Sequence, residues 1–357
     1  MTLYLAGKSN RNKIIFGSDG RAVSGSNDSL KVSGEEQVKF RFFKPNLVAC
    51  FSGSAFLIFD ILGMTDHIYE SSSGNPESVL NTVFNQHRDP VLAKSLDEMI
   101  LKARGQGIPV EEGATVEFYY FGGNRQLTAR VGFGREKPYL KTDYLGKPMP
   151  DSVMTGGISK TADAVLMDMA IHGKGVSEEN GLKALFLYML DESSEQVDAV
   201  GGKYFLADFS YGSFRQLSED DCLEFYEAAE DIRAELGNVP RFPDPNQLKK
   251  RAKELSGKVK DPMQSLYHLA KSYTSKGNQA AAEESIPFYE YAISLFVTCI
   301  EVGNSDTKLQ TKPEYCLSYK ELGEVCQKLE TRIAGKMQDY YHILGQRAMD
   351  KFVSMMR

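Results

Sequence analysis

Two short apolar runs, 3–6 and 13–18, flank the polar stretch GKSNRN and predict a strand pair at the start of the chain. A second pair is expected over 37–43 (QVKFRFF) and 46–53 (NLVACFSG), joined at Lys44-Pro45-Asn46. Helical spacing then predicts helices over 54–72 and 76–87. A third, over 90–105, follows Asp89-Pro90, which must kink or interrupt it. Strand patterning resumes at 115–123 (TVEFYYFGG) and 126–134 (QLTARVGFG), and 151–159 (DSVMTGGIS) reads as a strand ending in a glycine turn. Helices over 160–173 and 177–195 precede two last strands, 201–210 and 214–218. This order is not the regular alternation of a doubly wound parallel sheet. It predicts an α+β fold: two stacked antiparallel sheets with a helical layer outside each.

Ser218 is placed to cap a helix over 219–237, with acids in its first turn and a glycine at its end. The stretch NVPRFPDPNQ follows, with three prolines in ten residues, and marks the boundary between a first domain, 1–239, and a helical domain, 240–357. Within the second, Leu266, Leu269, Ala270 and Tyr273 lead to Gly277, and Tyr289, Ala292, Ile293 and Leu295 return on a second helix. This pair resembles a tetratricopeptide hairpin. A generic helical bundle accounts for the same pattern.

Charge sharpens the division. Residues 1–239 carry 24 basic and 34 acidic side chains, and residues 240–357 carry 18 and 14. The basic excess of the tail is small and spread out, so no nucleic-acid partner is expected. The longest apolar run noted, 55–64, is broken by Asp60, and no membrane span is expected. Lys8, Arg11 and Lys13 follow the first apolar residues, unlike a signal peptide, so a cytoplasmic location is expected. Five cysteines and five histidines stand at spacings that match no metal pattern. No metal and no cofactor is expected.

The candidate chemistry lies at Thr2. A threonine hydroxyl is a weak nucleophile, but an N-terminal threonine has its own α-amine as a base. That amine has a reference pKa of about 7.7–8.0, suited to proton transfer near neutrality. The device needs removal of Met1, a nearby cation, and backbone donors for the developing oxyanion.

The stretches TLYLAGKSNRNKIIFGSDGRAVSG and QVKFRFFKPNLVACFSGSA resemble the start of a proteasome β-type subunit. The order of elements over roughly 2–215 is similar to that family, the N-terminal-nucleophile hydrolases. The nearest look is to bacterial members, the peptidase of the two-component ATP-dependent protease and the Anbu type. The resemblance implies an αββα sandwich, no cofactor and a peptide or protein substrate. It implies Thr2 as nucleophile, Lys39 as the catalytic lysine, Asp19 as its orienting aspartate and Gly53 as an oxyanion donor. Arg21 takes the family's common basic position. Ala22, Val23, Phe51 and Ala55 fall near the specificity pocket, where bulky Phe51 should limit depth. Asp198 matches a supporting aspartate, but the serine expected after it is Gly201. The other supporting serine falls on Gly157, where Ser159 or Thr155 could substitute only with a shifted backbone.

The resemblance further implies a homo-oligomeric ring, with the helical tail free to bind a protein partner. Two rivals stay open. One is an inactive proteasome-like scaffold that acts through its tail. The other is a non-peptide amidase on the same fold.

Overall fold

The computed structural model describes residues 3–24, 31–71, 74–87, 98, 101–102, 105, 113–134, 137–151, 153–171, 175–237 and 261–356. The strands in chain order are β1 (Leu3–Lys8), β2 (Ile14–Ser18), β3 (Ala22–Ser24), β4 (Lys31–Gly34), β5 (Phe40–Phe43) and β6 (Leu47–Gly53). They continue as β7 (Ala114–Gly122), β8 (Arg125–Gly134), β9 (Lys137–Pro148), β10 (Met154–Gly157), β11 (Phe205–Ser210) and β12 (Ser213–Gln216). The helices are α1 (Ala55–Ser71), α2 (Pro76–His87), α3 (Lys160–Ile171), α4 (Glu179–Gln196) and α5 (Glu219–Gly237). Four more, α6 (Pro262–Gln279), α7 (Ser285–Asn304), α8 (Pro313–Glu330) and α9 (Lys336–Met356), make up the tail. The expected helix over 90–105 and the proline-rich stretch 238–247 lie almost wholly outside the described residues.

The chain divides into two compact units, one of residues 1–159 with 176–232, the other of residues 160–175 with 233–357. In the first unit, one antiparallel sheet runs β10-β1-β2-β11-β12 and another runs β5-β6-β7-β8-β9. Tyr4, Ala6 and Phe16 of the first sheet share a core with Val48, Cys50 and Tyr119 of the second. The far face of the second sheet, through Leu47, Ala49, Val116 and Phe118, is covered by Leu57, Ile61, Val79 and Val83 of α1 and α2. The far face of the first sheet carries α4, with Phe186 against Gly7 and Gly17. The layers run helix, sheet, sheet, helix. Both faces of β1 and β2 are therefore buried, which is why they read as continuous apolar runs and not as an alternation.

The structure adds three strands that the sequence reading does not contain: β3, β4 and β9. Strand β9 begins and ends near Pro138 and Pro148, and its register against β8 shifts at bulges, as suits an edge position.

The second unit holds α3 together with the tail helices. Ala164, Met167 and Ile171 of α3 share one core with Leu266, Tyr273, Tyr291, Phe296 and Val325. Helices α6 to α9 run antiparallel in succession. Cys299 of α7 donates to the Met263 carbonyl at 3.4 Å and Tyr289 of α7 donates to Asn278 at 2.9 Å. Ser318 of α8 faces Cys299 while Tyr315 reaches Asn304, and Cys316 of α8 meets Met356 of α9. The residues expected on the tetratricopeptide-like pair, Leu266, Leu269, Ala270, Tyr273, Tyr289, Ala292, Ile293 and Leu295, are all buried. Asp168 of α3 is buried and accepts from the Tyr273 hydroxyl at 2.9 Å and the Tyr291 hydroxyl at 3.4 Å.

By length and composition α7 is apolar enough to cross a membrane, with mean hydropathy 1.2, and 56% of that stretch is buried inside the unit. Glu290, Ser294, Thr298 and Glu301 interrupt its apolar run at helical spacing.

Candidate active site

Asp19 follows the last residue of β2, at the edge where β1 and β2 pair through Tyr4 and Ser18. Its backbone N–H donates to the Leu3 carbonyl at 3.2 Å, and its Oδ1 accepts from the Leu3 N–H at 2.8 Å. Its Oδ2 accepts from the Gly201 N–H at 3.4 Å. The carboxyl is buried. Burial pushes its pKa up from 3.8 to about 6, against the pull of the Leu3 N–H, the Lys39 charge and the Gly201 N–H. A raised carboxyl binds its proton more tightly in the folded chain. The stability this group contributes is therefore full below pH 3.8 and is lost as pH rises through about 6. The 13C carboxyl resonance of Asp19 is expected to titrate near pH 6, and a midpoint near 3.8 would remove this account of its environment.

Lys39 sits at the entry to β5 and is also buried. Its carbonyl accepts from the Phe51 N–H at 3.1 Å, which fixes it beside β6. Its Nζ donates to the Arg21 carbonyl at 2.9 Å. The ammonium thus lies close enough to Asp19 to lower the pKa of its carboxyl.

Arg21 ties the parts together. Its backbone N–H donates to the Gly201 carbonyl at 2.8 Å. Its guanidinium donates to the Asp198 carbonyl at 2.8 Å and the Val200 carbonyl at 3.3 Å, and pairs with Glu35 at 3.2 Å. One residue therefore holds Lys39 through its carbonyl and the 198–201 loop through its side chain. That loop in turn presents Gly201 N–H to Asp19.

Gly201 has φ +141°, and a Cβ there would stand 2.9 Å from the guanidinium carbon of Arg21. The space expected for a supporting serine is filled by Arg21. Gly201→Ala is expected to destabilise the first unit by about 1–3 kcal/mol through backbone strain alone. Chemical denaturation would measure it, and an unchanged midpoint would contradict a backbone strained at φ +141° for any residue but glycine.

Gly53 ends β6 with φ +101°, and a Cβ there would lie 2.3 Å from the Gly113 carbonyl oxygen. That carbonyl accepts from the Ser54 N–H at 2.9 Å, and the Ser54 carbonyl accepts from Ile58, so the strand turns directly into α1. Ala55 is exposed at the first position of α1. Phe51 is half-buried and packs against the core beneath α1 and α2. Ala22 and Val23 are half-buried in β3. Gly157 pairs with Leu3 across β10 and β1, and Thr155 pairs with Leu5.

The structure therefore brings Asp19, Lys39, Arg21 and Gly201 together around Leu3. Asp198 joins this group through its carbonyl oxygen. Met1 and Thr2 lie outside the described residues. The sequence reading noted Arg21 as a basic position but missed its clamp on the loop, and missed Glu35 altogether. The Gly201-Gly202 pair was the available signal, since paired glycines mark close backbone approach. Among the described residues no group of three or more His, Cys, Asp or Glu could hold a metal ion.

No family model and no curated protein matches the sequence. Among the distant likenesses that solved structures give are the following three. A Gly-1 mutant of Anbu from Hyphomicrobium sp. strain MC1 is 14% identical, with a TM-score of 0.43 over 68% of this chain and 100% of that one. Anbu, an ancestral β-subunit, from Yersinia bercovieri is 12% identical, with a TM-score of 0.43 over 68% and 100%. The eukaryotic HslV from Trypanosoma brucei is 10% identical, with a TM-score of 0.38 over 58% and 98%. None of the three fixes the chemistry of this chain.

Proposed function

We propose that the chain is a threonine-type N-terminal-nucleophile hydrolase that cuts peptide bonds, with Thr2 as nucleophile after loss of Met1. The observation that carries this reading is the bond from the Leu3 N–H to Asp19, because Thr2 is joined covalently to Leu3. The neighbourhood of the nucleophile is then a buried carboxylate and a buried ammonium, the pair such chemistry needs. The helix–sheet–sheet–helix layering agrees with the fold that the sequence resemblance implies.

In this mechanism Thr2 Oγ attacks the peptide carbonyl and its proton passes to the α-amine. The Lys39 charge favours the neutral amine, and Asp19 orients Lys39. The oxyanion is held by backbone donors, Gly53 N–H among them. The C–N bond breaks, the leaving amine takes the proton, and an ester to Thr2 remains. Water, deprotonated by the α-amine, attacks the ester and restores the hydroxyl. Ala22, Val23, Phe51 and Ala55 shape the pocket for the substrate side chain. The chain assembles as a homo-oligomeric ring, and the tetratricopeptide-like tail engages a neighbouring subunit or a partner protein.

A second reading, an inactive scaffold acting through the tail, is favoured by Gly157 and Gly201, where supporting hydroxyls are missing. The test is turnover of a fluorogenic peptide library by the purified chain. Turnover with an acid limb near pH 6, where Asp19 gains its proton, supports the hydrolase. A protein with verified N-terminal Thr2 that cleaves no peptide moves the reading to the scaffold, or to an amidase of non-peptide substrates.

A further inference from the structure

At the opposite end of the first unit, a cleft of about 730 Å³ opens where the turns after β1, β5, β7 and β11 meet the start of α2. It lies one β6 length from Gly53, roughly 20 Å by the rise of a strand, so the proposed chemistry does not use it. Asn12, Asn46, Asn75 and Asn124 line it; the Asn46 amide already donates to the Phe121 carbonyl and accepts from the Tyr69 hydroxyl, and Asn75 Oδ1 accepts from the Glu77 N–H, so Asn12 and Asn124 carry the amides offered to a ligand. Tyr211 forms one wall, 68% exposed, with its ring edge-on to Phe121 at 6.4 Å. Tyr120 lines the interior. Its hydroxyl is fully buried beside the Gly146 backbone and the Glu77 carboxylate, beneath the surface that a ligand would touch.

The chemistry of this lining narrows the occupant. Among the described residues it includes no lysine or arginine, so a phosphate or carboxylate would meet no countercharge there. Its one carboxylate, Glu77, sits in the first turn of α2, where the positive end of the helix dipole offsets it. A cation therefore meets a single carboxylate, partly offset by the dipole. Four asparagines and Glu77 stand among the lining residues, unlike the apolar wall of a lipid site. What remains is a neutral ligand dense in hydroxyls. Amide side chains donate and accept at once, as vicinal hydroxyls require. The exposed Tyr211 ring offers a face for the C–H side of a sugar.

We infer that this cleft binds a neutral saccharide, held by the Asn12 and Asn124 amides and stacked on Tyr211. The site is independent of peptide cleavage, so its test reads binding alone. The full chain would be titrated by saturation-transfer NMR with N-acetylglucosamine, its tetramer, maltose and cellobiose. Inorganic phosphate and agmatine serve as charged controls. Saturable binding of at least one neutral saccharide in the millimolar range is expected. Tyr211→Ala, at an exposed turn position, should weaken it about tenfold with an unchanged melting curve, and Asn12→Gly, which keeps the left-handed backbone at φ +56°, should weaken it as well. Tighter binding of the tetramer would identify a glycan chain as the ligand, and equal binding a free sugar. The inference is overturned if no saccharide saturates, if Tyr211→Ala binds as the parent does, or if a charged control binds in preference.

Discussion

Thr2→Ala is expected to lower peptide turnover by roughly 10⁴-fold or more, with no change in melting temperature. The variant keeps the α-amine but has no oxygen to form the ester, so the acyl route closes. Lys39 is buried and hydrogen bonded to the Arg21 carbonyl, so Lys39→Met, which keeps the aliphatic stem, isolates the charge. It should cost a comparable factor. The double variant should be no worse than either single one, because nucleophile and cation act on one transition state. Fluorogenic peptides beside a thermal melt would show this. Unchanged turnover in Thr2→Ala would remove Thr2 from the mechanism. Additive losses would separate Lys39 from it.

Ending the chain after residue 239 is expected to cost several kcal/mol and to produce aggregation, not a soluble first unit. The reason is α3. Its Met167 and Ile171 are fully buried in a core otherwise made by the tail, and each such side chain is worth about 1.5–3 kcal/mol of burial. Asp168 would lose the Tyr273 and Tyr291 hydroxyls as well. Net stabilities of about 5–15 kcal/mol leave little room for such losses. Light scattering and a melt of the shortened chain would decide. A soluble chain with the parent's melting temperature would show that α3 stands without the tail. The same experiment on a chain that also lacks 160–175 separates an uncovered helix from a misplaced boundary.

The parts of the fold legible in the sequence are those where burial and periodicity agree. Strands β1, β2 and β6 are buried on both faces or nearly so, and their apolar runs stand out between polar turns. Ser218 caps α5 as read, accepting from the Asp221 N–H at 3.2 Å. Strand β9 was hidden because an edge strand needs little apolar content, and KPYLKTDYLGKP carries prolines, lysines and a glycine. The grouping of α3 with the tail was hidden because its partners lie about a hundred residues on in the chain. The spacing of its apolar residues shows only that some core exists. At the site, Asp19 and Lys39 were legible as candidates through the family resemblance. The Arg21 clamp was not, since its partners Asp198 and Val200 offer carbonyls, which every residue has.

The central claim is that Thr2 is the mature N-terminus and carries the nucleophile and its base in one residue. Intact mass of the protein purified from its native host tests this most directly. The mass should equal that of the chain lacking one methionine, with Thr2 first in the N-terminal fragment spectrum. A protein that retains Met1 throughout has no free threonine amine, and that result would contradict the catalytic account.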